Sequence, residues 1–138
     1  MTSAPPALLT VNPSALPYGK VVAWGSSGYG QTNVPLAAQS DIVAIAGGGY
    51  HTVAVRSGGL LMAWGFNGYG QTMIPVAAQS GVTAIAAGLY HTVALRIDGA
   101  VVAWGDNFYG QSTVPAAAQT GVVAIGAGDY HTVALRKR

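Results

Sequence analysis

A repeat of 40 residues constrains the fold of this chain more than any other feature. Tryptophan recurs at Trp24, Trp64 and Trp104, and no insertion or deletion disturbs the spacing. Five further series keep the same step: Gln31, Gln71 and Gln111; Pro35, Pro75 and Pro115; Tyr50, Tyr90 and Tyr130; His51, His91 and His131; and Arg56, Arg96 and Arg136. A period of this length is typical of solenoids, propellers and repeat arrays, so the chain is interpreted as three copies of one structural unit.

Each unit divides into four short segments with the composition of β-strands. In the third copy these segments are Ala100–Gly105, Gly110–Pro115, Val122–Gly128 and Tyr130–Arg136. None is longer than seven residues, and Gly or Pro bounds them, which disfavours helices. The turn sequence Ile97–Gly99 predicts a hairpin between the segments on either side of it. Four short strands in about 40 residues make one propeller blade, so an all-β propeller of four-stranded blades is predicted.

The residue types also indicate where each segment lies in a blade. Segments rich in Ala and Gly, such as Ala84–Gly88, suit the innermost strand, because blades converge on the ring axis. The Trp-bearing segment suits a position further out, where large side chains fill the space between blades. Pro75 and its equivalents end the fourth strand, where proline lacks an amide donor and discourages pairing with other edges.

The order of the segments leaves half a blade at each end of the repeats. Residues 42–75 and 82–115 make two whole blades. Before them come only a Trp strand (Lys20–Gly25) and an outer strand (Gln31–Pro35), and after them only an inner strand and a second strand. Residues 1–19, which contain four prolines, are expected to form an extended arm before the three repeats at 20–138.

Three blade-equivalents are too few to close a ring, since propellers have about 4–8 blades. A two-stranded half-blade is marginal by itself, and its open edge is a pairing site. We therefore predict that a second copy supplies the missing halves, in a homodimeric six-bladed ring with twofold symmetry. The alternatives are a fragment of a longer propeller and a chain that completes its ring with a different protein.

The composition argues against several classes of partner. Hydrophobic residues make up 51% of the chain and charged residues 7%, with no Cys and a net charge of +2. Half of the basic residues are Arg136, Lys137 and Arg138, which form a short tail rather than the broad basic surface of a nucleic-acid-binding protein. No apolar run approaches the ~20 residues of a membrane-spanning helix. We therefore expect no nucleic acid and no membrane, while the absence of a clear signal peptide leaves the compartment open between the cytoplasm and secretion.

Catalytic and metal-binding chemistry find little support in the residues. The carboxylates are Asp41, Asp98, Asp106 and Asp129, and no hydrolase motif or phosphate-binding loop is present. The repeated histidines lie in different blades without a repeated carboxylate beside them, so we interpret them as hydrogen-bonded structural residues. The repeated arginines are interpreted as contacting loop carbonyls or aromatic rings, with an anion-binding ring of charge as the alternative. We predict that the chain is not an enzyme and that it needs no metal or cofactor.

Residues 101–136 resemble the repeat of the regulator-of-chromosome-condensation superfamily. The shared motifs are VVAWG, GQxxVP, AxQxGVxAI and GxYHTVAL, which together cover most of residues 20–136. Within this superfamily the repeat is most similar to that of the β-lactamase inhibitory protein II group, secreted bacterial propellers that bind β-lactamases. The resemblance implies a single-chain ring of seven blades, from which a chain of three repeats departs.

The same resemblance implies that partner-binding residues lie in loops on one face. These loops lie before each second strand and after each Trp strand. At one loop position Gly49, Leu89 and Asp129 differ although their neighbours repeat, which indicates exposed positions that blade packing does not determine. The predicted partner-binding residues are Tyr29, Gly49, Tyr50, Phe66, Tyr69, Leu89, Tyr90, Phe108, Tyr109, Asp129 and Tyr130.

The sequence thus predicts a non-catalytic, protein-binding propeller that uses loop aromatics on one face. Aromatic residues favour this function because they bury large areas at low entropic cost, although the same rings can fill gaps between blades. The most specific version is an inhibitor of β-lactamase-like serine enzymes, which follows from the resemblance alone. The alternatives are a carbohydrate-binding propeller with one shallow aromatic site per blade, and a repeat module, natural or engineered, without a specific ligand.

Overall fold

The computed structural model describes residues 19–138, which form three antiparallel sheets in sequence order. The strands are β1 (Ile42–Gly47), β2 (His51–Arg56) and β3 (Leu60–Gly65) in the first sheet, β4 (Val82–Ala87), β5 (His91–Arg96) and β6 (Val101–Gly105) in the second, and β7 (Val122–Ala127) and β8 (Thr132–Arg136) in the third. The predicted arm of residues 1–19 lies outside the described residues, apart from Gly19. Three similar sheets along the chain are the blades of a β-propeller, which confirms the all-β prediction.

Local sequence explains the hairpins within each blade. After β5, the Gly99 amide donates to the Arg96 carbonyl at 3.0 Å, and the Asp98 carboxylate accepts a hydrogen bond from the Ala100 amide at 3.1 Å. Gly99 has a φ of 83°, in the left-handed region that glycine occupies without strain. The hairpin predicted at Ile97–Gly99 is therefore confirmed.

The middle strand of the second sheet is buried on both faces. All five residues from His91 to Leu95 are buried, because this sheet lies between the first and third sheets. The two alternating faces therefore pack against two neighbouring blades rather than against core and solvent: Thr92 and Ala94 face the first sheet, and His91, Val93 and Leu95 face the third. In the equivalent strand β8, by contrast, Val133 is 54% exposed and Leu135 is 63% exposed.

A central core joins the first two sheets. We define it as Val53, Val55, Leu61, Ala78, Val82, Ala94 and Trp104. Trp104 is 8% exposed and lies on β6, so the Trp strand does place its large ring between blades as predicted. Truncation of a buried Trp typically costs roughly 3–5 kcal/mol, which makes this core a main link between the blades.

The predicted fourth strand of each blade is not formed among the described residues, so the prediction of four-stranded blades is wrong there. Each GQxxVP segment is a turn followed by extended chain and a three-residue 3-10 helix. The helices are Leu36–Ala38, Val76–Ala78 and Ala116–Ala118. Local hydrogen bonds replace a sheet ladder: the Met73 amide donates to the Gly70 carbonyl at 3.0 Å, and Pro75 precedes a helical turn instead of protecting an outer edge. Among residues 19–138, no helix is long and apolar enough to cross a membrane.

The strand predicted at Lys20–Gly25 is also not formed. Gly19, directly before this segment, forms an isolated bridge with Ile42 of the first sheet, and the Val21 amide donates to the Ala38 carbonyl at 3.0 Å. The Trp strands β3 and β6 each pair with a second strand that precedes them, and residues 19–41 contain no such strand. Sheet pairing is therefore incomplete here, just as β7 and β8 form a sheet of two strands.

Candidate partner-binding face

Five aromatic rings from four loops form one cluster at one end of the first two sheets. The ring centroid of Tyr29 lies 5.4 Å from that of Tyr50 and 4.6 Å from that of Phe66. The Tyr90 centroid lies 4.8 Å from that of Tyr69, 5.7 Å from that of Phe66 and 5.8 Å from that of Tyr50, with which it stacks. Aromatic pairs at these distances attract each other beyond their area burial. We call these residues the five-ring cluster.

The backbone around the cluster holds the rings in place. Tyr50 and Tyr90 directly precede β2 and β5, so their positions follow from the strands. The Tyr69 amide donates to the Gln71 side-chain oxygen at 2.9 Å, which fixes the turn after β3. Phe66 lies over Gly68, where an added Cβ would be 2.3 Å from the ring, so a larger residue there would require the phenylalanine ring to move.

A second group of three rings repeats part of this arrangement one blade later. The centroids of Phe108 and Tyr109 are 4.8 Å apart, and those of Tyr109 and Tyr130 are 5.5 Å apart. These side chains are 81%, 66% and 51% exposed, respectively. Phe108 stands where the second repeat has Gly68, so the two groups differ in shape. The structure thus places all eight predicted aromatic residues in loops at the same end of the blades.

Packing constrains part of the loop position that varies between repeats. The Gly49 amide donates to the Gly88 carbonyl at 3.1 Å, and the Leu89 amide donates to the Asp129 carbonyl at 3.2 Å. A Cβ on Gly49 would lie 2.4 Å from a methyl carbon of Leu89, so a larger residue does not fit without movement. Gly49 and Asp129 are exposed, as predicted, and Leu89 is half-buried, but packing against the next blade limits which residue can stand at position 49. Their part in partner binding stays a prediction.

The face presents neutral phenols as well as apolar rings. Burial raises the pKa of the Tyr90 phenol above its usual value, and the phenols of Tyr50 and Tyr69 raise it further. Tyr90 therefore keeps its proton at physiological pH and can donate a hydrogen bond. A surface of this kind suits a partner that offers apolar groups with hydrogen-bond acceptors between them.

Hydrogen bonds behind the aromatic face link each blade to the next. The Nε2 atom of His51 lies 2.9 Å from the Thr92 hydroxyl, which donates to the Gln71 carbonyl at 2.8 Å. The Trp104 indole donates to the same carbonyl at 2.9 Å. Because Thr92 uses its one proton for Gln71, the imidazole must donate through Nε2. We call the three side chains and this carbonyl the blade-linking network.

The prediction of structural histidines is confirmed for His51 and His91. The Nε2 atom of His91 lies 3.0 Å from the Thr132 hydroxyl, which repeats the blade-linking network. Burial lowers the pKa of His51 to about 4 and also lowers that of His91, so both are neutral at pH 7. Across residues 19–138, no three His or Asp side chains converge as a metal site would require. The threonines of the network repeat as strictly as the histidines, which is the sequence signal that could have indicated the network.

The carboxylates and arginines serve local structure. Asp41 pairs with Arg56 at 3.4 Å, and Asp98 pairs with Arg96 at 3.3 Å. Arg96 also donates to the Ala77 carbonyl, which is the loop contact predicted for the repeated arginines. These carboxylates are therefore engaged in ion pairs at the ends of blades.

Comparisons with known proteins agree with this architecture. Residues 42–71 and 82–111 match the family model of the regulator of chromosome condensation (RCC1) repeat, and no curated protein matches significantly. Among solved structures, the chain is similar to the ectodomain of the receptor kinase CR4 from Physcomitrella patens (26% identity, TM-score 0.62, 83% of this chain and 32% of that one). The ectodomain of the Arabidopsis thaliana receptor kinase ACR4 is also similar, with 21% identity and a TM-score of 0.64 over 88% of this chain and 40% of that one. Yeast RCC1 bound to Kap60 has 25% identity and a TM-score of 0.59, over 83% of this chain and 29% of that one.

Each matched segment spans one repeat of the structure, from the inner strand to the glutamine of the turn after the Trp strand. The segments correspond to the first and second sheets, and the third sheet repeats their first two strands. The chain spans well under half the length of the solved structures it resembles. Two of its three repeats, at residues 42–71 and 82–111, are therefore of the regulator-of-chromosome-condensation type, and the chain has the blade architecture of a β-propeller.

Proposed function

We propose that the chain is a non-catalytic binding module that holds a protein partner against its loop aromatics. The observation that carries this proposal is the five-ring cluster, whose rings contact each other while Tyr29 and Tyr69 remain 53% and 51% exposed. Aromatic side chains of this kind are the commonest anchors of protein interfaces. Yeast RCC1, which is similar in fold, was solved bound to a protein, Kap60, and this supports a partner of the same class.

The cluster is suited to binding because its side chains are held before a partner arrives. Ring–ring contacts and the turn around Gln71 restrict the rotamers of Tyr69 and Tyr90 in the free protein. Little side-chain entropy is then lost on association, which favours affinity. Tyrosine also adds hydrogen bonding at the rim of each ring.

In its most specific form, the partner is a β-lactamase-like serine enzyme. This form rests on the resemblance of the repeat to the inhibitor group, and the test is direct. We expect the chain to inhibit one or more members of a panel of purified class A β-lactamases and penicillin-binding proteins with a nanomolar inhibition constant. No inhibition at micromolar concentration across the panel would refute this form.

The role of the aromatic face is tested with matched variants. Tyr69→Ala removes an exposed ring from the five-ring cluster, whereas Val76→Ala removes an 83% exposed side chain from the 3-10 helix Val76–Ala78, outside the cluster. Loss of one interface hot spot weakens binding by roughly 2 kcal/mol or more, and we expect this for Tyr69→Ala alone. Equal affinities of the two variants would contradict the assignment.

On a glycan array, repeated weak binding that depends on the tyrosines would favour the carbohydrate-binding alternative.

We also propose that two copies of the chain form the binding unit, as a six-bladed ring. A ring with twofold symmetry about its axis carries the same loops of both copies on one side, so the aromatic face would occur twice there. Light scattering tests this: the expected mass is twice the 13.9 kDa of one chain. A folded monomer would refute the ring without affecting the role of the aromatic cluster, which the tyrosine variant tests separately.

A further inference from the structure

The central core shows what complete packing between two blades requires. Val53 and Val55 come from the middle strand of one blade, and Leu61 comes from its Trp strand. The next blade contributes Trp104 from its own Trp strand and Ala94 from its middle strand. Since equivalent positions are 40 residues apart, the same set can be sought one repeat later and one repeat earlier.

One repeat later, the set is incomplete. The C-terminal core consists of Val93, Leu95, Val101, Ala118 and Val122. The equivalents of Ala94 and Trp104 are missing from it, since Ala134 is exposed and the described residues supply no tryptophan at that place. An open groove of about 520 Å³ lies there instead, between β8 and the chain around Gln111 and Val114.

One repeat earlier, the set is incomplete in the complementary way. The N-terminal core consists of Val21, Ala38, Ile42 and Ala54, with Trp64 packed against it. No described residue takes the places of Val53 and Val55. This core therefore lacks the middle strand of a preceding blade, whereas the C-terminal core lacks a Trp strand.

Each missing group is present and exposed at the opposite end of the chain. Trp24 is 83% exposed, although its equivalent Trp104 is 8% exposed. Val133 and Leu135 are 54% and 63% exposed, although their equivalents in β2 are buried. Large apolar side chains exposed in this way mark interaction surfaces.

The blade-linking network has the same two gaps. The Gln111 carbonyl accepts a hydrogen bond from Thr132 at 2.8 Å, and no indole of the described residues occupies the second place that Trp104 takes at Gln71. Thr52 donates to the Gln31 carbonyl at 2.8 Å, and no described histidine reaches it as His51 reaches Thr92.

Gly25 repeats this pattern in the backbone. Gly65 and Gly105 have φ values of 107° and 105°, and in each an added Cβ would lie 2.6 Å from the carbonyl of the tyrosine before the paired strand. Gly25 has the same φ of 107°, with open space in place of that carbonyl. Gly25 therefore has the backbone conformation of the glycines that end paired Trp strands, although no described strand pairs with it.

We infer that Lys20–Gly25 of a second copy binds along β8 as its third strand, with Trp24 in the groove beside Gln111. The Trp24 indole of the second copy then donates to the Gln111 carbonyl, and His131 donates to Thr52 of the second copy. Val133 and Leu135 complete the N-terminal core of that copy. This inference rests on the self-association proposed above and specifies the surfaces and bonds that produce it.

The register follows from the complete second sheet. There Thr92 lies opposite Trp104, and Val93 lies opposite Ala103. Shifted by one repeat, Thr132 lies opposite Trp24 and Val133 lies opposite Ala23 of the second copy. In a two-copy ring this junction occurs twice, because each copy presents both of its halves.

The first test removes the indole. Trp24→Ala should raise the dissociation constant of the dimer by at least ~30-fold, the effect of a lost aromatic hot spot, so that the variant scatters light as a 13.9 kDa chain. Its β-sheet circular dichroism should persist, since Trp24 contributes little to the packing of one chain. The control is Leu36→Ala, which removes an equally exposed side chain (83%) and installs the residue that the third repeat already has at Ala116. A dimer that survives Trp24→Ala would overturn the inference.

The second test fixes the register by cross-linking, which the absence of native cysteine makes unambiguous. Opposite residues on paired strands have Cα atoms about 4.5–5.5 Å apart, within reach of a disulfide. Ala23→Cys with Val133→Cys should give a covalent dimer on oxidation, whereas Val22→Cys with Val133→Cys, which points to the other face, should not. No cross-link in the first pair would overturn the junction. A mass of three chains with the cross-link present would refute the two-copy ring and leave the junction supported.

Discussion

Thr92 links the first two blades, and its replacement by valine removes a hydroxyl while keeping the shape of the side chain. Thr92 is 0% exposed and His51 is 1% exposed, so no water can take the place of the lost hydroxyl. The Gln71 carbonyl keeps its hydrogen bond from the Trp104 indole at 2.9 Å, but the Nε2–H of His51 loses its acceptor. A buried donor without an acceptor costs about 1–3 kcal/mol, and we expect Thr92→Val to lower the free energy of unfolding by this amount.

The assay is urea unfolding followed by tryptophan fluorescence, at one protein concentration for all variants. With a slope of about 1–3 kcal/mol per molar urea, the midpoint should fall by roughly 1 M. Thr120→Val is the control, because Thr120 is exposed. The reasoning is refuted if Thr92→Val unfolds at the same urea concentration as the Thr120→Val control.

Two further predictions follow from buried groups of the blades. The free energy of unfolding should fall as the pH is lowered from 6.5 to about 4, by at most ~3 kcal/mol, because the unfolded chain protonates His51 at its ordinary pKa of 6.5 and the folded chain only near 4. His91 acts in the same direction, and urea midpoints that stay constant between pH 7 and 4 would contradict this. Gly105→Ala should lower the melting temperature, since φ is 105° and the new Cβ would lie 2.6 Å from the Tyr90 carbonyl. Gly58→Ala is the matched control, with a φ of 91° and open space around it, and an equal loss in both variants would show that contact with Tyr90 does not matter.

Much of the fold follows from patterns within single repeats. The hairpin at Ile97–Gly99 and the alternation in β5 depend on neighbouring residues, so the residue types there are sufficient to predict paired strands. The gathering of Tyr50, Tyr90 and Tyr130 at one end of the blades follows as well, because equivalent residues of a repeat take equivalent places. These are the parts of the candidate face that the sequence predicts.

The errors lie where one blade contacts the next. Gly49 has the appearance of a free loop position, yet the side chain of Leu89 from the following blade leaves no room for a larger residue. The GQxxVP segments have the composition of edge strands, yet turns and short helices form instead. Leu89 lies 40 positions after Gly49, so no local pattern contains that contact. The turn at Gln71 is closed by local hydrogen bonds and is also held by Thr92 of the next blade, 21 positions away.

By itself, the sequence determined the number of blade-equivalents, the strands that form hairpins and the residues that share one face, because these depend on spacing and on residues close along the chain. Only the tertiary structure decided that the Gln71 carbonyl serves Thr92 and Trp104, which lie 21 and 33 residues further on, rather than a sheet ladder. It also showed that the chain's two incomplete cores lack complementary parts. The physical reason is that packing between blades selects side chains by their shape and hydrogen bonding in space, whereas the sequence orders them only along the chain.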